Sequence, residues 1–333
     1  MAKNNTLVEV QNLTKLFPVG GGVFKRTNSF IHAVDGLSFA IAEGESLSLV
    51  GESGCGKTTT GKLMVRLYEP TDGRILLRTD EVGGAMEDVA HVKGRDMKGF
   101  RKRVQMIFQD PFESINPRLT IYDTIAEPLV VQGIGTPAER EDRVANLLET
   151  VGLTPATSFM FRFPHELSGG QRQRVAIARA LVVEPDFVVA DEPTSMLDVS
   201  IRTGVMNLMN DLAEEYGVSY LYITHDLAVA RYMTNNLAVM YLGKIVEMGE
   251  TEEVLMHPQH PYTQALISAV PVPDPAYQRE AIPIKGSVSA PIDPPPMCRF
   301  YARCPIADQF CKDNPQPPLE DKGGGHFAAC YKI

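Results

Sequence analysis

Gly51-Glu52-Ser53-Gly54-Cys55-Gly56-Lys57-Thr58-Thr59 fits G-x-x-x-x-G-K-[ST], the pattern of a phosphate-binding loop. Gly51, Gly54 and Gly56 let the backbone turn tightly and present its N–H groups to an anion. Lys57 reaches the outer phosphates as a point charge, and the Thr58 hydroxyl can ligand Mg²⁺. The helix that starts here points its positive end at the phosphates. A chance glycine-rich turn would not need particular flanks. Here Ser46–Val50 (SLSLV) reads as a strand, and Gly61–Leu67 reads as helix with Leu63, Met64 and Leu67 on one face. Strand, loop and helix together are the context the motif requires. Binding of a nucleoside triphosphate by residues 51–59 is therefore expected.

Outward from the loop, strands and helices alternate. Leu7–Leu13 and Phe30–Ile41, the latter with a turn at Asp35-Gly36, read as early antiparallel strands forming a flap beside the nucleotide. An aromatic in that flap can stack on the base. Phe17 is the first candidate, with Phe24 and Phe30 behind it, and packing of Phe17 into the core is the alternative. Residues 69–100 read as short strands and loops. Val104–Phe108 is a short buried strand ending at Gln109, and Asp110–Thr120 reads as a loop. The stretch 121–181 reads as helical, with a capping box and helix-start proline at Thr136-Pro137-Ala138-Glu139. Phe187–Ala190 is an apolar run of the kind found in a fully buried parallel strand, and Asp191-Glu192 ends it. Ser219–Ile223 is the next strand, ending at Thr224-His225-Asp226. This is an α/β pattern, with a mostly parallel sheet and ligand groups gathered at the strand ends.

Composition sets the bounds. The 333 residues are 44% hydrophobic, enough for one large or two modest domains. A net charge of −9 argues against nucleic acid bound through a broad basic surface. Nowhere do 18 apolar residues run together, so no membrane span is expected, and the first residues lack the features of a secretory signal. Cys55 sits in the phosphate loop, and the other four cysteines crowd the last 36 residues of the sequence. In a reducing compartment such a cluster suits metal better than disulfides.

Asp191 is placed to hold the Mg²⁺ shell. Glu192 can act as general base or orient the attacking water. His225 lies at the next strand end, within reach of a γ-phosphate, and Gln109 offers an amide to Mg²⁺ or the water. Leu167-Ser168-Gly169-Gly170-Gln171, followed by Arg172–Ala180, then resembles the signature sequence of ABC-type ATPases. Physically, Ser168 and the Gly169-Gly170 backbone open a helix, a second anion site.

The resemblance covers residues 6–253. It implies a P-loop ABC cassette that binds ATP and Mg²⁺, with an antiparallel β flap, a parallel core sheet and a helical subdomain at 121–181. It also implies a head-to-tail dimer in which the signature closes over the γ-phosphate held by a second subunit. Asp198, in Ser195-Met196-Leu197-Asp198, matches the loop that crosses that interface, with Met196 where the family usually has alanine. Gln109 and Asp110–Arg118 are implied to contact a transmembrane partner, and Phe17 to stack on the base.

Three stretches resemble the oligopeptide/dipeptide importer branch. They are Gln109–Arg118, His257-Pro-Gln-His-Pro-Tyr-Thr263, and the tail bearing Cys298, Cys304, Cys311 and Cys330. The similarity is greatest to the branch's second, F-type, ATPase subunit. The expected division is an ATPase domain at 6–255 and a cysteine-rich extension at 256–333. The spacing C-x₅-C-x₆-C-x₁₈-C lacks the close pairs of structural zinc. Zinc, an iron–sulfur cluster and free thiols all remain open on spacing, and the resemblance favours a [4Fe–4S] cluster.

The expected function is ATP hydrolysis powering import of di- or oligopeptides. Implied partners are a second, homologous ATPase subunit in a heterodimer, two transmembrane permeases and an extracytoplasmic binding protein, with no nucleic acid. The implied location is peripheral, on the cytoplasmic face of the inner membrane. The rival is a non-transport ABC protein of translation or DNA maintenance. Such relatives carry paired cassettes or a long coiled coil, which this sequence lacks. Nickel, sugars and other solutes are alternative cargoes.

Overall fold

A computed structural model describes residues 5–20, 29–79, 84–270, 282–286 and 290–333. Phe24, one of the base-stacking candidates, lies outside them, as does most of the proline-rich linker. Along the chain the elements are β1 (Thr6–Pro18), β2 (Phe30–Ala42), β3 (Ser46–Val50), α1 (Lys57–Met64), β4 (Asp72–Arg78), β5 (Met86–Asp88), α2 (Asp96–Arg103) and β6 (Val104–Ile107). Then come α3 (Pro111–Ser114), α4 (Ile121–Gln132), α5 (Pro137–Thr150), α6 (Thr157–Met160), a 3₁₀ turn at Pro164–Glu166, α7 (Gly169–Leu181), β7 (Phe187–Asp191), α8 (Val199–Tyr216) and β8 (Ser219–Thr224). The last are α9 (Leu227–Met233), β9 (Asn236–Tyr241), β10 (Lys244–Glu250), α10 (Thr251–Met256), α11 (Pro261–Ser268), α12 (Gln309–Asp313), β11 (Glu320–Asp321) and β12 (Phe327–Ala328). They fall into two compact units, residues 1–7, 42–45 and 91–222 in one and 8–41, 46–90 and 223–333 in the other.

In the first unit β7 is flanked by β6 and β8. β6 and β7 pair in parallel, from Val104 opposite Phe187 to Ile107 opposite Ala190. Every residue of β7 is buried, which is why the run carries no polar alternation. The helices pack as their apolar stripes dictate. α4 buries Ile121, Ile125 and Leu129, α5 buries Val144 and Leu148, and α7 buries Val175, Ile177 and Ala178. The Thr136–Glu139 capping box forms as expected, with the Glu139 carboxylate accepting the Thr136 N–H at 2.6 Å.

In the second unit β2, β1, β4 and β5 form one sheet in that order. β1 runs antiparallel to β4, and β4 to β5. A second set joins β3 to β9 in parallel. β10 pairs antiparallel with β9, and β12 with β10. Val50, Val239, Tyr241, Val246, Tyr262 and Phe300 share one core, so the cysteine-rich tail contributes a buried aromatic to the interior of the second unit.

Several local expectations change. The helix after the phosphate loop starts at Lys57 and ends at Met64. Leu63 and Met64 are buried, but Leu67 lies past the end and is exposed. Asp35-Gly36 makes no turn, since β2 runs unbroken through it with Gly36 at φ 70°. Residues 69–100 end inside a helix, α2, that apolar periodicity could not show, since Phe100 is its one buried residue. Asp96 in its first turn and Arg101, Lys102 and Arg103 in its last suit the helix dipole instead. The segment 110–120 is not all loop, for it contains α3.

Candidate nucleotide site

The phosphate loop of the second unit is shaped by what its glycines touch. Gly51 has φ 152° and Gly56 φ 111°. A Cβ on Gly51 would stand 2.2 Å from the Met240 carbonyl oxygen, and one on Gly56 would stand 2.1 Å from that of Ala33. Only glycine lets the loop lie against both neighbouring segments. Lys57 is buried and folds back over the loop, donating to the Gly51 carbonyl at 2.7 Å and the Glu52 carbonyl at 3.0 Å. The ammonium is thus held at the loop's centre. Ser53, Gly54 and Thr58 are exposed, Thr59 is half-buried, and Cys55 is buried. Burial pushes the Cys55 thiol up, and Lys57 only partly offsets this.

In the first unit Gln109 Nε2 donates to Glu192 Oε2 at 3.0 Å. The two candidates sit after β6 and β7, which the parallel pairing holds side by side. Asp191 is buried at the end of β7. Glu192 takes φ 45°, a left-handed conformation unusual for a side chain of its size. A turn pins it there, since the Glu192 carbonyl accepts from Ser195 N–H at 3.1 Å and from Ser195 Oγ at 3.0 Å. Such backbone strain persists only where surrounding bonds over-determine it.

Ser168 caps α7. Its Oγ accepts the Gln171 N–H at 3.3 Å, and its own N–H goes to Gln171 Oε1 at 2.9 Å. Leu167 and Gly170 are buried, and Ser168 is exposed. Asp198 stands at the N-cap position of α8 without a side-chain capping bond and is exposed between Met196 and Val199, which are 61% and 78% exposed. His225, the first residue past β8, is exposed, and the following Asp226 caps α9 through Ala228 N–H at 2.9 Å. Phe17 is half-buried. Its ring meets Tyr68 edge-on at 5.6 Å, with the Lys15 ammonium 5.2 Å from its centroid. Phe30 is partly exposed, and its N–H donates to Asp293.

The tail brings its four cysteines to one small cavity, lined also by Phe300 and Pro317. All four are free thiols. Burial first, then the neighbouring Cys304, Cys330 and Cys311, pushes the Cys298 thiol up to about 11. Among the described residues no group of three or more His, Cys, Asp or Glu is arranged to hold a metal ion. The four thiols thus surround one cavity without converging on a single point. His260 lines the same cavity as the four cysteines, and His257 does not. His260 caps α11 through Tyr262 N–H, and His257 pairs with Glu253 on the surface.

Sequence reading missed two contacts on the loop itself. Tyr262 and Arg303, from the tail half of the chain, both bond Glu52. It also missed Glu247, fully buried, which accepts from the Gln259 and His260 N–H groups and lies 2.7 Å from His326 Nε2. These partners are far apart in sequence, and no local pattern announces them.

The family profile described as "ABC transporter" matches residues 34–195, and "Oligopeptide/dipeptide transporter, C-terminal region" matches 246–311. The chain is 46% identical over 332 residues to the oligopeptide transport ATP-binding protein AppF of Bacillus subtilis, covering 99% of this chain and 98% of that one. It is 43% identical over 331 residues to the dipeptide transport ATP-binding protein DppF of Haemophilus influenzae, with 99% and 98% covered. A solved structure of the ATP-binding cassette MJ0796, dimeric and bound to ADP and Pi after hydrolysis, aligns with a TM-score of 0.62 at 30% identity. That alignment covers 74% of this chain and 99% of the other.

Proposed function

Because the chain belongs to the ABC transporter ATPases, in the branch that carries the oligopeptide/dipeptide C-terminal region, we propose that it hydrolyses ATP to drive import of peptides through membrane partners. The observation that carries this reading is similarity running unbroken through cassette and tail to subunits named for peptide transport. No helix among the described residues is long and apolar enough to cross a membrane. The translocation path then belongs to other chains, two permeases fed by an extracytoplasmic binding protein, with this subunit on the cytoplasmic face beside a second ATPase subunit.

In this reading the N–H groups of residues 51–59 and the Lys57 ammonium hold the β- and γ-phosphates. Phe17 stacks on the base. Thr58, Asp191 and Gln109 hold Mg²⁺, which when bound neutralises charge on the β- and γ-oxygens. Glu192 accepts the proton of the attacking water, or orients it, and His225 senses the γ-phosphate. Ser168 and the Gly169-Gly170 backbone close on the nucleotide of the other subunit, and Asp198 crosses between them. The exposed Met196, Val199 and Ile201 around Asp198 support that assignment, being apolar surface of the kind an interface buries. Catalysis comes from positioning and electrostatics, since phosphoryl transfer asks little covalent chemistry of the protein.

The test is affinity purification from the native host. Two polytopic membrane proteins and a second ATPase subunit should accompany the chain, and peptide uptake should stop when it is deleted. Association with ribosomes or DNA instead would favour the non-transport rival.

For the tail, Cys298, Cys304, Cys311 and Cys330 are proposed to hold a [4Fe–4S] cluster. Four thiols around one cavity suit a multi-atom cluster better than a single ion, whose ligands must meet at one point. Anaerobic purification with iron and sulfide analysis tests it. Four irons per chain support it, and zinc or no metal excludes it.

A further inference from the structure

The C-terminal extension takes hold of the phosphate loop at one residue, Glu52. Tyr262 Oη accepts the Glu52 N–H at 3.0 Å. The Arg303 guanidinium pairs with the Glu52 carboxylate through two bonds, Nη1 to Oε2 at 2.6 Å and Nη2 to Oε1 at 3.1 Å. The remaining polar group of Glu52, its carbonyl, accepts from Lys57 Nζ at 3.0 Å. Every polar group of this residue is therefore committed. Two of the three are held by the extension, and the third by the lysine of the loop.

Both holding groups are rigidly mounted. Tyr262 is fully buried, with its ring 4.7 Å from Tyr241 and 5.4 Å from Phe300. Arg303 lies over Tyr241, its guanidinium carbon 5.8 Å from the ring centroid. A turn anchored on Phe300 fixes its backbone, with Arg303 N–H and Cys304 N–H both donating to the Phe300 carbonyl at 3.0 and 2.9 Å. Two parallel charge-assisted bonds define direction as well as distance.

We propose that Arg303 and Tyr262 are positioning residues for nucleotide binding, so that the C-terminal extension sets the ATP affinity of the cassette through Glu52. Two physical effects combine. The grip fixes the Gly51-Glu52 backbone, whose carbonyls seat the Lys57 ammonium. Arg303 also neutralises a carboxylate carried by the loop itself, whose like charge would otherwise repel an incoming triphosphate. The inference rests on the ATP-binding reading of residues 51–59.

The experiment measures ATP KM and kcat in the assembled transporter for the wild type, Arg303→Ala, Arg303→Lys, Tyr262→Phe, Glu52→Gln and the Glu52→Gln/Arg303→Ala pair. Arg303→Ala should raise KM about tenfold or more with kcat within about twofold. Arg303→Lys should recover part of the loss. Tyr262→Phe removes a single hydroxyl from an intact core and should raise KM by a few-fold. In the Glu52→Gln background Arg303→Ala should add little, because both act through one carboxylate. A loss of kcat at unchanged KM would make Arg303 a structural residue and overturn the proposal. So would equal KM in wild type and Arg303→Ala, or additivity in the double variant. Failure of the wild type itself to hydrolyse ATP would instead sink the reading of residues 51–59.

Discussion

Gln109 donates its side-chain amide to the Glu192 carboxylate at 3.0 Å, joining the ends of two parallel neighbouring strands. The bond orients the carboxylate proposed to handle the attacking water. A neutral donor to a carboxylate contributes about 1.5–3 kcal/mol. Gln109→Ala should therefore lower kcat by roughly one to two orders of magnitude while ATP affinity changes about threefold or less. Steady-state kinetics in the assembled transporter measures both, and unchanged kcat would detach Gln109 from the chemistry.

Gly56 is the sharpest steric test of the loop. With φ 111° and the Ala33 carbonyl 2.1 Å from where a Cβ would stand, Gly56→Ala meets backbone, which cannot yield as a side-chain tip can. Titration with a fluorescent ATP analogue should show binding abolished in a protein that still folds. Wild-type affinity would mean that the loop does not close in this way.

How much of this was legible in the sequence depended on range. The Thr136–Glu139 capping box and the fully buried β7 are local signals, and each forms where it was read. α2 was not legible, because a helix that buries only Phe100 leaves no apolar period. That Gln109 and Glu192 stand at strand ends followed from the α/β alternation, but the adjacency of those strands and the mutual bond did not. The grip on Glu52 was out of reach altogether, since its partners Tyr262 and Arg303 lie 210 and 251 residues away. The tail read as a separate appendage for the same reason, although it adds β12 to the edge of β10 and Phe300 to the core.

Glu247 ties that tail down. It is fully buried and accepts two backbone N–H bonds at 2.6 and 2.8 Å, with His326 Nε2 at 2.7 Å. Glu247→Ala strands these groups without an acceptor and should cost about 3–5 kcal/mol. Glu247→Gln keeps an acceptor oxygen and should cost less. Urea unfolding of the purified chain measures the difference, and equal losses would show that packing rather than polar pairing fixes the tail.

His260 makes stability depend on pH. Burial lowers its pKa to about 3, so it stays neutral when folded, with Nδ1 free to accept the Tyr262 N–H. Unfolded, it titrates near its ordinary value of about 6.5. Its folded pKa is depressed, so its contribution is fully present above about 6.5 and is lost as pH falls toward 3, at about 1.4 kcal/mol per pH unit. Between pH 6.5 and 5 that amounts to about 2 kcal/mol. Denaturation midpoints across this range should fall in the wild type and stay flatter in His260→Asn, which keeps a capping oxygen. Parallel slopes would assign the pH dependence elsewhere.

The central claim is that Glu192 drives hydrolysis of an ATP held by residues 51–59. Its most direct test is turnover of Glu192→Gln in the assembled transporter at saturating ATP, with binding followed in parallel. The account predicts that turnover falls by about two to four orders of magnitude, while ATP remains bound with wild-type affinity. Turnover at the wild-type rate would contradict it.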